Sequence, residues 1–409
     1  MSKYLIIGNS AAAIGCIEGI RHLDKTGEIT LISKEKQHTY SRPLISYLLA
    51  NKTDEQRMKY RPDDFYTTNG VRTILGKEAV EVNAEKKEVR LSDGSVEKYE
   101  KLLVATGSKP FVPPIEGIET VKNKYTFMSL DDALVLGNVL TSENRVLIVG
   151  AGLIGLKCAE GIKNRVKEIT VCDIAQRVLP SILDERCARK VQMHLEKNGI
   201  KFRLNNSVGR FEGEKVTFQN GDTDFFDAVI IAVGVRPNTE LVRNAGADVN
   251  KGIVVDLAQR TTLRDVYSAG DCCEGMDSLL GEKRILALLP NAYFGGEVAG
   301  ENMAGGDAVF DKAMPMNAIG FFGLHIVSAG IYDGQEYFSE QDENIKILYY
   351  NDDVLRGFIL IGDVARAGIY TSLIRNKTPL ASIDFDMIKE KPQLLAFAKK
   401  DRAEMLAED

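Results

Sequence analysis

The chain has no tryptophan, and its four histidines (His22, His38, His194 and His325) are isolated from one another. Its six cysteines form no C-x-x-C pair, and no Cys/His group has zinc or iron–sulfur spacing. The sequence therefore predicts no metal site and buried, reduced thiols. The vicinal pair Cys272-Cys273 stands apart. It follows Asp271 in a stretch that reads as a helix start, where a thiol pKa falls, although adjacent cysteines rarely close an unstrained disulfide. No apolar run approaches the ~20 residues that span a bilayer. Tyr4–Ile7 reads as a strand where a secretory leader would have its apolar core. A net charge of −6 argues against nucleic-acid partners and a basic membrane-binding surface. The expectation is a cytoplasmic protein.

What is present is a pair of glycine-rich turns. At 409 residues the chain exceeds one ordinary core. YLIIGNSAAAIG, residues 4–15, reads as strand, tight turn and helix start, the form of a dinucleotide-binding turn. Its fingerprint positions are Gly8, Ser10 and Ala13, so serine departs from the pattern at the second. The second copy, VLIVGAGLIGLKCAE, is intact, with Gly150, Gly152 and Gly155. In both, backbone N–H groups and a helix N-terminus suit a pyrophosphate, and glycines let the backbone come close. An acid follows each turn at the end of the next strand, to accept ribose hydroxyls: Glu35 ends ITLISKE, and Asp173 ends ITVCD. A carboxylate at Asp173 suits a free 2′-hydroxyl and repels a 2′-phosphate, which favours NADH over NADPH. Arg177 lies close enough to soften that preference.

The ordered set GNSAAA, YSRPLIS, VATGSKP, GAGLIG, AVGVRPNTEL and YSAGD resembles the FAD-dependent pyridine nucleotide-disulfide oxidoreductases. Within them it is most similar to the branch of NADH:rubredoxin reductases and the flavin domain of the nitrite reductase large subunit. PMNAIGFFGLHIVSAG and LRGFILIGDVARAGIYTSLI resemble that branch's C-terminal domain. The resemblance implies an α/β fold of two nested Rossmann-like dinucleotide-binding domains, of the glutathione-reductase type, with a small α+β C-terminal domain. Residues 1–113 and 245–312 would bind FAD, 114–244 the nicotinamide cofactor, and 313–409 would form the last domain. The charged tail KKDRAEMLAED reads as a solvated helix end.

By the same resemblance, Gly8, Ser10, Ala11, Ala12 and Ala13 would cradle the FAD pyrophosphate. Glu35 would hold the adenosine ribose, and Ala79 would meet the adenine through its backbone. Arg42 and Pro43 would lie by the flavin. Ala105, Thr106 and Gly107 would form the turn under the FAD. Asp271 would accept a ribitol hydroxyl, and Leu289 and Pro290 would flank the isoalloxazine. Gly150, Gly152, Leu153, Ile154, Gly155 and Asp173 would take the nicotinamide dinucleotide, with Gly234 beside it.

Two departures bear on chemistry. YSRPLISYLLAN, residues 40–51, has no cysteine where the family's thiol enzymes carry theirs, so thiol–disulfide and cysteine–sulfenate chemistry are not expected there. The family's Lys–Glu pair beside the flavin is replaced by Tyr47 and Lys157. One reading swaps the parts: Lys157 supplies a cation near the flavin, and Tyr47 contacts it or the flavin. The other lets Lys157 run out to solvent. The implied activity is an NADH-dependent flavoprotein reductase. It would take hydride from NADH onto FAD and pass electrons to a rubredoxin- or ferredoxin-like iron–sulfur carrier or a partner redox subunit. The alternatives are an NADH oxidase using dioxygen, a flavin relay subunit of a larger redox complex, and a reductase working through Cys272-Cys273. The C-terminal domain offers a surface for a homo-oligomer.

Overall fold

Tyr4, Leu5, Ile6 and Ile7 are buried on both faces of their strand: Tyr4 and Ile6 pack with the helix that follows, and Leu5 and Ile7 with Ala79, Val82, Val89 and Leu91. The computed structural model describes residues 2–397, and the charged tail at 399–409 lies outside the described residues. The chain divides into two units, residues 1–177 with 199–313, and 178–198 with 314–409.

The first unit holds both glycine-rich turns. Strand Ser2–Ile7 pairs in parallel with Ile29–Ser33 on one side and Val96–Val104 on the other. Val71–Leu75 extends one edge, and the late strand Val266–Ser268 joins Val96–Val104 in parallel. Residues 79–83 and 88–91 form the hairpin that the alternating pattern at 78–91 predicts. A second parallel sheet has the order Ile200–Arg203, Glu168–Cys172, Arg145–Val149, Ala228–Ile231, Lys124–Tyr125. The two sheets are joined by a short antiparallel clasp between Ser108–Pro110 and Val235–Pro237.

The helix Ala11–Leu23 is covered by the helix Leu289–Met303. Their contact is made of glycine. A Cβ at Gly15, Gly19, Gly296 or Gly300 would overlap a backbone carbonyl oxygen of the facing helix, at Tyr293, Glu297, Ala12 and Cys16 respectively. At these four positions the two backbones touch with no side chain between them.

In the second unit, five antiparallel strands run in the order Met316–Phe321, Leu324–Gly330, Val354–Ile361, Asn344–Asn351, Gln335–Gln341. The strands read from NIKILYY and VLRGFILIG are both present. The helix Ala367–Arg375 buries Tyr370, Leu373 and Ile374. The helix Glu185–Lys197 belongs to this unit: His194 Nε2 lies 3.0 Å from the Phe321 carbonyl, and Arg186 pairs with Glu336 at 2.6 Å. Among the described residues no helix is long and apolar enough to cross a membrane.

Candidate functional site: two nucleotide cradles

Each turn forms at the end of a buried strand, and each begins with a glycine that nothing else could replace. Gly8 has φ +125 and Gly150 φ +118. A Cβ on Gly8 would overlap the Ala105 carbonyl oxygen, and one on Gly150 that of Ala232. The N-caps Ser10 and Gly152 are extended and offer no side-chain cap to the helices they open, Ala11–Leu23 and Leu153–Ile162. Neither first turn carries an acid. The first N–H groups of both helices therefore keep hydrogen-bonding capacity for an anion. A Cβ on Gly152 would meet open space, as a pyrophosphate seat needs, whereas one on Gly155 would overlap the Gly150 carbonyl.

Ala11, Ala12 and Ala13 are buried, and Ala105 and Leu289 pack on the same cluster. Pro290 follows Leu289 in the first turn of its helix. Gly270, at φ +85, brings the Asp271 turn against Ala12. Burial raises the Asp271 carboxyl above its ordinary pKa, against the pull of the nearby Arg42 guanidinium. The structure thus brings Gly8, Ser10, Asp271 and Leu289 together around one turn, and Arg42 within electrostatic reach of it. Pro43 stands in the short turn Arg42–Leu44. Ala79 opens its strand opposite Leu91.

Glu35 is already engaged. Arg42 Nη2 bonds its Oε1, and Tyr40 donates to its Oε2 at 2.6 Å. Tyr40 Oη also accepts the Leu130 N–H at 2.9 Å. A ribose at Glu35 would share oxygens that hold Arg42 and Tyr40 in place.

Thr106 and Asn238 grip one another across the clasp. Thr106 Oγ1 donates to the Asn238 carbonyl, and Asn238 Nδ2 donates to the Thr106 carbonyl, both at 2.8 Å. They fix Gly107 (φ +61) and Gly234 (φ +127), where a Cβ would meet only open space. Asp173 accepts the N–H of Ala151 at 2.6 Å and of Ala175 at 2.8 Å. The acid is therefore tied into the second turn itself.

Lys157 does not run out to solvent; its side chain is 15% exposed. Its ammonium lies 4.7 Å from the centre of the Tyr47 ring and pairs with Glu160, one turn along the same helix. Lys52 reaches the other Glu160 oxygen at 3.7 Å.

The expected helix start at Cys272-Cys273 is wrong. Residues 273–277 form a strand, and the helix begins only at Leu289. Burial raises both thiols above their ordinary pKa, Cys273 strongly. No helix N-terminus activates them. All six cysteines are buried and free.

Sequence reasoning missed a further group beside the first cradle. Tyr66 donates to Asn9 Oδ1 at 2.5 Å and accepts the Thr39 N–H at 3.2 Å; Asn9 Nδ2 donates to the Gln37 carbonyl at 3.2 Å. Only the proximity of Asn9 to the fingerprint could have signalled it.

Two glycine cradles on two parallel sheets, each with an acid at the following strand, define a dinucleotide-using oxidoreductase with two nucleotide sites. The chain belongs to the pyridine nucleotide-disulphide oxidoreductase family, whose model matches residues 2–296. It is an FAD-dependent oxidoreductase of pyridine nucleotides. It is 32% identical over 395 residues to the epsilon subunit of the NADH-dependent phenylglyoxylate dehydrogenase of Aromatoleum evansii, covering 93% of each chain. It is 34% identical over 320 residues to an NADH oxidase of Methanocaldococcus jannaschii, covering 75% of this chain and 71% of that one. It is 27% identical to the NADH-rubredoxin oxidoreductase of Clostridium acetobutylicum, covering 89% and 92%.

Proposed function

We propose that the protein is an NADH-dependent reductase that loads FAD with electrons from NADH and passes them to an iron–sulfur carrier protein or a partner redox subunit. The observation that carries this reading is the pairing of two open dinucleotide cradles with the absence of any accessible thiol: all six cysteines are buried. Electrons that enter from a nicotinamide have no disulfide to reduce within the chain, so they must leave to an external acceptor.

In this reading residues 1–113 and 245–312 hold FAD, and residues 114–244 hold NADH. FAD, when bound, accepts a hydride and can release electrons singly. The protein's part is positioning and electrostatics. The helix at Ala11 and the helix at Leu153 each offer N–H groups to a pyrophosphate. Asp173 presents its charge to the ribose side of the second cradle and selects NADH. The Thr106–Asn238 grip keeps Gly107 and Gly234 open. Lys157, steadied by Tyr47 and Glu160, provides positive charge near the flavin. No side chain is required to remove a proton.

The acceptor reading draws support from the rubredoxin-reducing relative, and the subunit reading from the epsilon subunit. An NADH oxidase is the second reading, favoured by the 34% identical relative. Six free thiols suit a reducing compartment, and the proposal assigns the protein to the cytoplasm. The test is anaerobic stopped-flow mixing of the FAD-loaded protein with NADH, then NADPH, following flavin absorbance. Rapid bleaching by NADH supports the proposal. No bleaching by either nucleotide overturns it. Adding a rubredoxin or ferredoxin in air then separates the acceptors: NADH loss that is unchanged by the carrier and matched by oxygen uptake would favour the oxidase.

A further inference from the structure

Gln259 is 4% exposed, and among the described residues its side-chain amide makes no hydrogen bond. Buried amides without partners are rare and costly. Its backbone is costly too: φ is +62, a left-handed conformation that glutamine seldom adopts. Two bonds fix it there, from the Gln259 N–H to the Asp256 carbonyl and from the Ser268 N–H to the Gln259 carbonyl, both at 3.0 Å. The side chain runs beside the helix Leu289–Met303, where the missing Cβ of Gly295 leaves room for its Oε1. There it lines a cavity of about 30 Å³, the space of about two water molecules.

The wall of this cavity has one charged residue, Arg284, and among the described residues no acid lines it. The Arg284 guanidinium reaches the buried Asp277 carboxylate through Nη1 alone, at 3.4 Å. Asp277 Oδ1 is taken by the Leu279 and Leu280 N–H groups. The remaining guanidinium donors have no partner among the described residues. Asn291 stands in the first turn of Leu289–Met303, which holds no acid and presents the positive end of the helix dipole. Cys273 adds a neutral thiol, which donates to the Gly270 carbonyl at 3.1 Å and which burial keeps protonated. Met276, Leu286 and Phe310 make an apolar side. A cation would meet Arg284, and a neutral molecule would leave its charge unanswered. The planar fork of a guanidinium, with an amide N–H beside it, matches the two oxygens of a carboxylate.

We infer that this cavity binds a small monocarboxylate of the size of formate or acetate. Arg284 and Gln259 receive its oxygens, and the apolar side receives its carbon end. The site is separate from the first cradle but built on the same scaffold. Gly270 in its wall precedes Asp271, and Asn291 and Ala292 follow Leu289 and Pro290, yet none of Asp271, Leu289 and Pro290 lines it. A carboxylate here binds alongside a filled cradle.

The test is calorimetric titration of the FAD-loaded protein with sodium acetate, against sodium chloride at equal ionic strength, for wild type, Gln259→Met and Arg284→Gln. The melting temperature of each protein is measured in both salts. Wild type should bind acetate saturably and melt at a higher temperature in acetate than in chloride. Gln259→Met keeps the length of the side chain and should weaken acetate binding roughly tenfold. In chloride it should melt at the wild-type temperature or above, because an unpartnered amide is gone. Arg284→Gln should weaken acetate at least as much. Acetate that behaves as chloride does overturns the inference, and so does an acetate affinity unchanged in both variants. Phosphate that competes as well as acetate overturns the carboxylate assignment. Acetate that binds the apoprotein and is expelled by FAD lies in the cradle, which overturns the separate site.

Discussion

The ammonium of Lys157 sits 4.7 Å from the centre of the Tyr47 ring and is held there by Glu160. The tyrosine comes from the segment Ile45–Leu49, and the lysine from the second cradle's helix. Gly161 lets the two backbones close: a Cβ there would stand 2.9 Å from the Ser46 carbonyl. If this cation faces the flavin, its strength is set by Glu160. Lys157→Met should lower the flavin potential, and Glu160→Gln should raise it, each by roughly 20–40 mV at an intermediate dielectric. Equilibrium titration against reference dyes measures both. Potentials unchanged in both variants would refute the role.

Asp173 carries negative charge into the second cradle. Asp173→Asn keeps an oxygen for a backbone N–H and removes the charge. The kcat/KM ratio for NADH over NADPH should fall about tenfold, from a change of ~1–2 kcal/mol in the repulsion of a 2′-phosphate. Steady-state kinetics with each nucleotide measures the ratio.

Asp265 is gripped by Lys101 and Lys87, both at 2.6 Å, and its carboxyl pKa is lowered to about 2. The bonds tie the late strand Val266–Ser268 to the first sheet. The stability they contribute is complete above the unfolded carboxylate pKa near 4 and is lost as pH falls through about 2. Asp265→Asn should cost on the order of 1–2 kcal/mol at pH 7, since the lysines are partly exposed. It should also flatten the decline of melting temperature between about pH 4 and pH 2, which calorimetry across that range measures.

Gly300→Ala places a methyl group against the Cys16 carbonyl. The helix contact must open, at a cost of about 1–3 kcal/mol or more. A lower melting temperature and weaker FAD retention should appear together. A melting temperature equal to wild type would mean that the helices are not in backbone contact.

The parts of this protein legible in its sequence are those with a local signature. Gly8 and Gly150 sit in turns whose spacing is set by the strand and helix around them, and both cradles stand where that spacing predicts. The Cys272-Cys273 segment misled because the glycine turn before it resembles the others, yet no amphipathic run follows. The partnership of Lys157 with Glu160 was available from the i, i+3 spacing, whereas its contact with Tyr47 joins residues 110 positions apart. Gln259 carries no motif. Its significance lies in what it fails to bond, which only three-dimensional placement reveals.

The glycine contact between Ala11–Leu23 and Leu289–Met303 also sets an order of events. The strand Ser2–Ile7 and the helix Ala11–Leu23 leave the ribosome before they can be completed. Their covering helix and their fifth parallel strand, Val266–Ser268, are made more than two hundred residues later. The intervening segment can fold around its own parallel sheet meanwhile. The first cradle is thus a late product of synthesis. The face of its opening helix that meets Leu289–Met303 stays uncovered until that helix is made, which leaves it in need of protection in the growing chain.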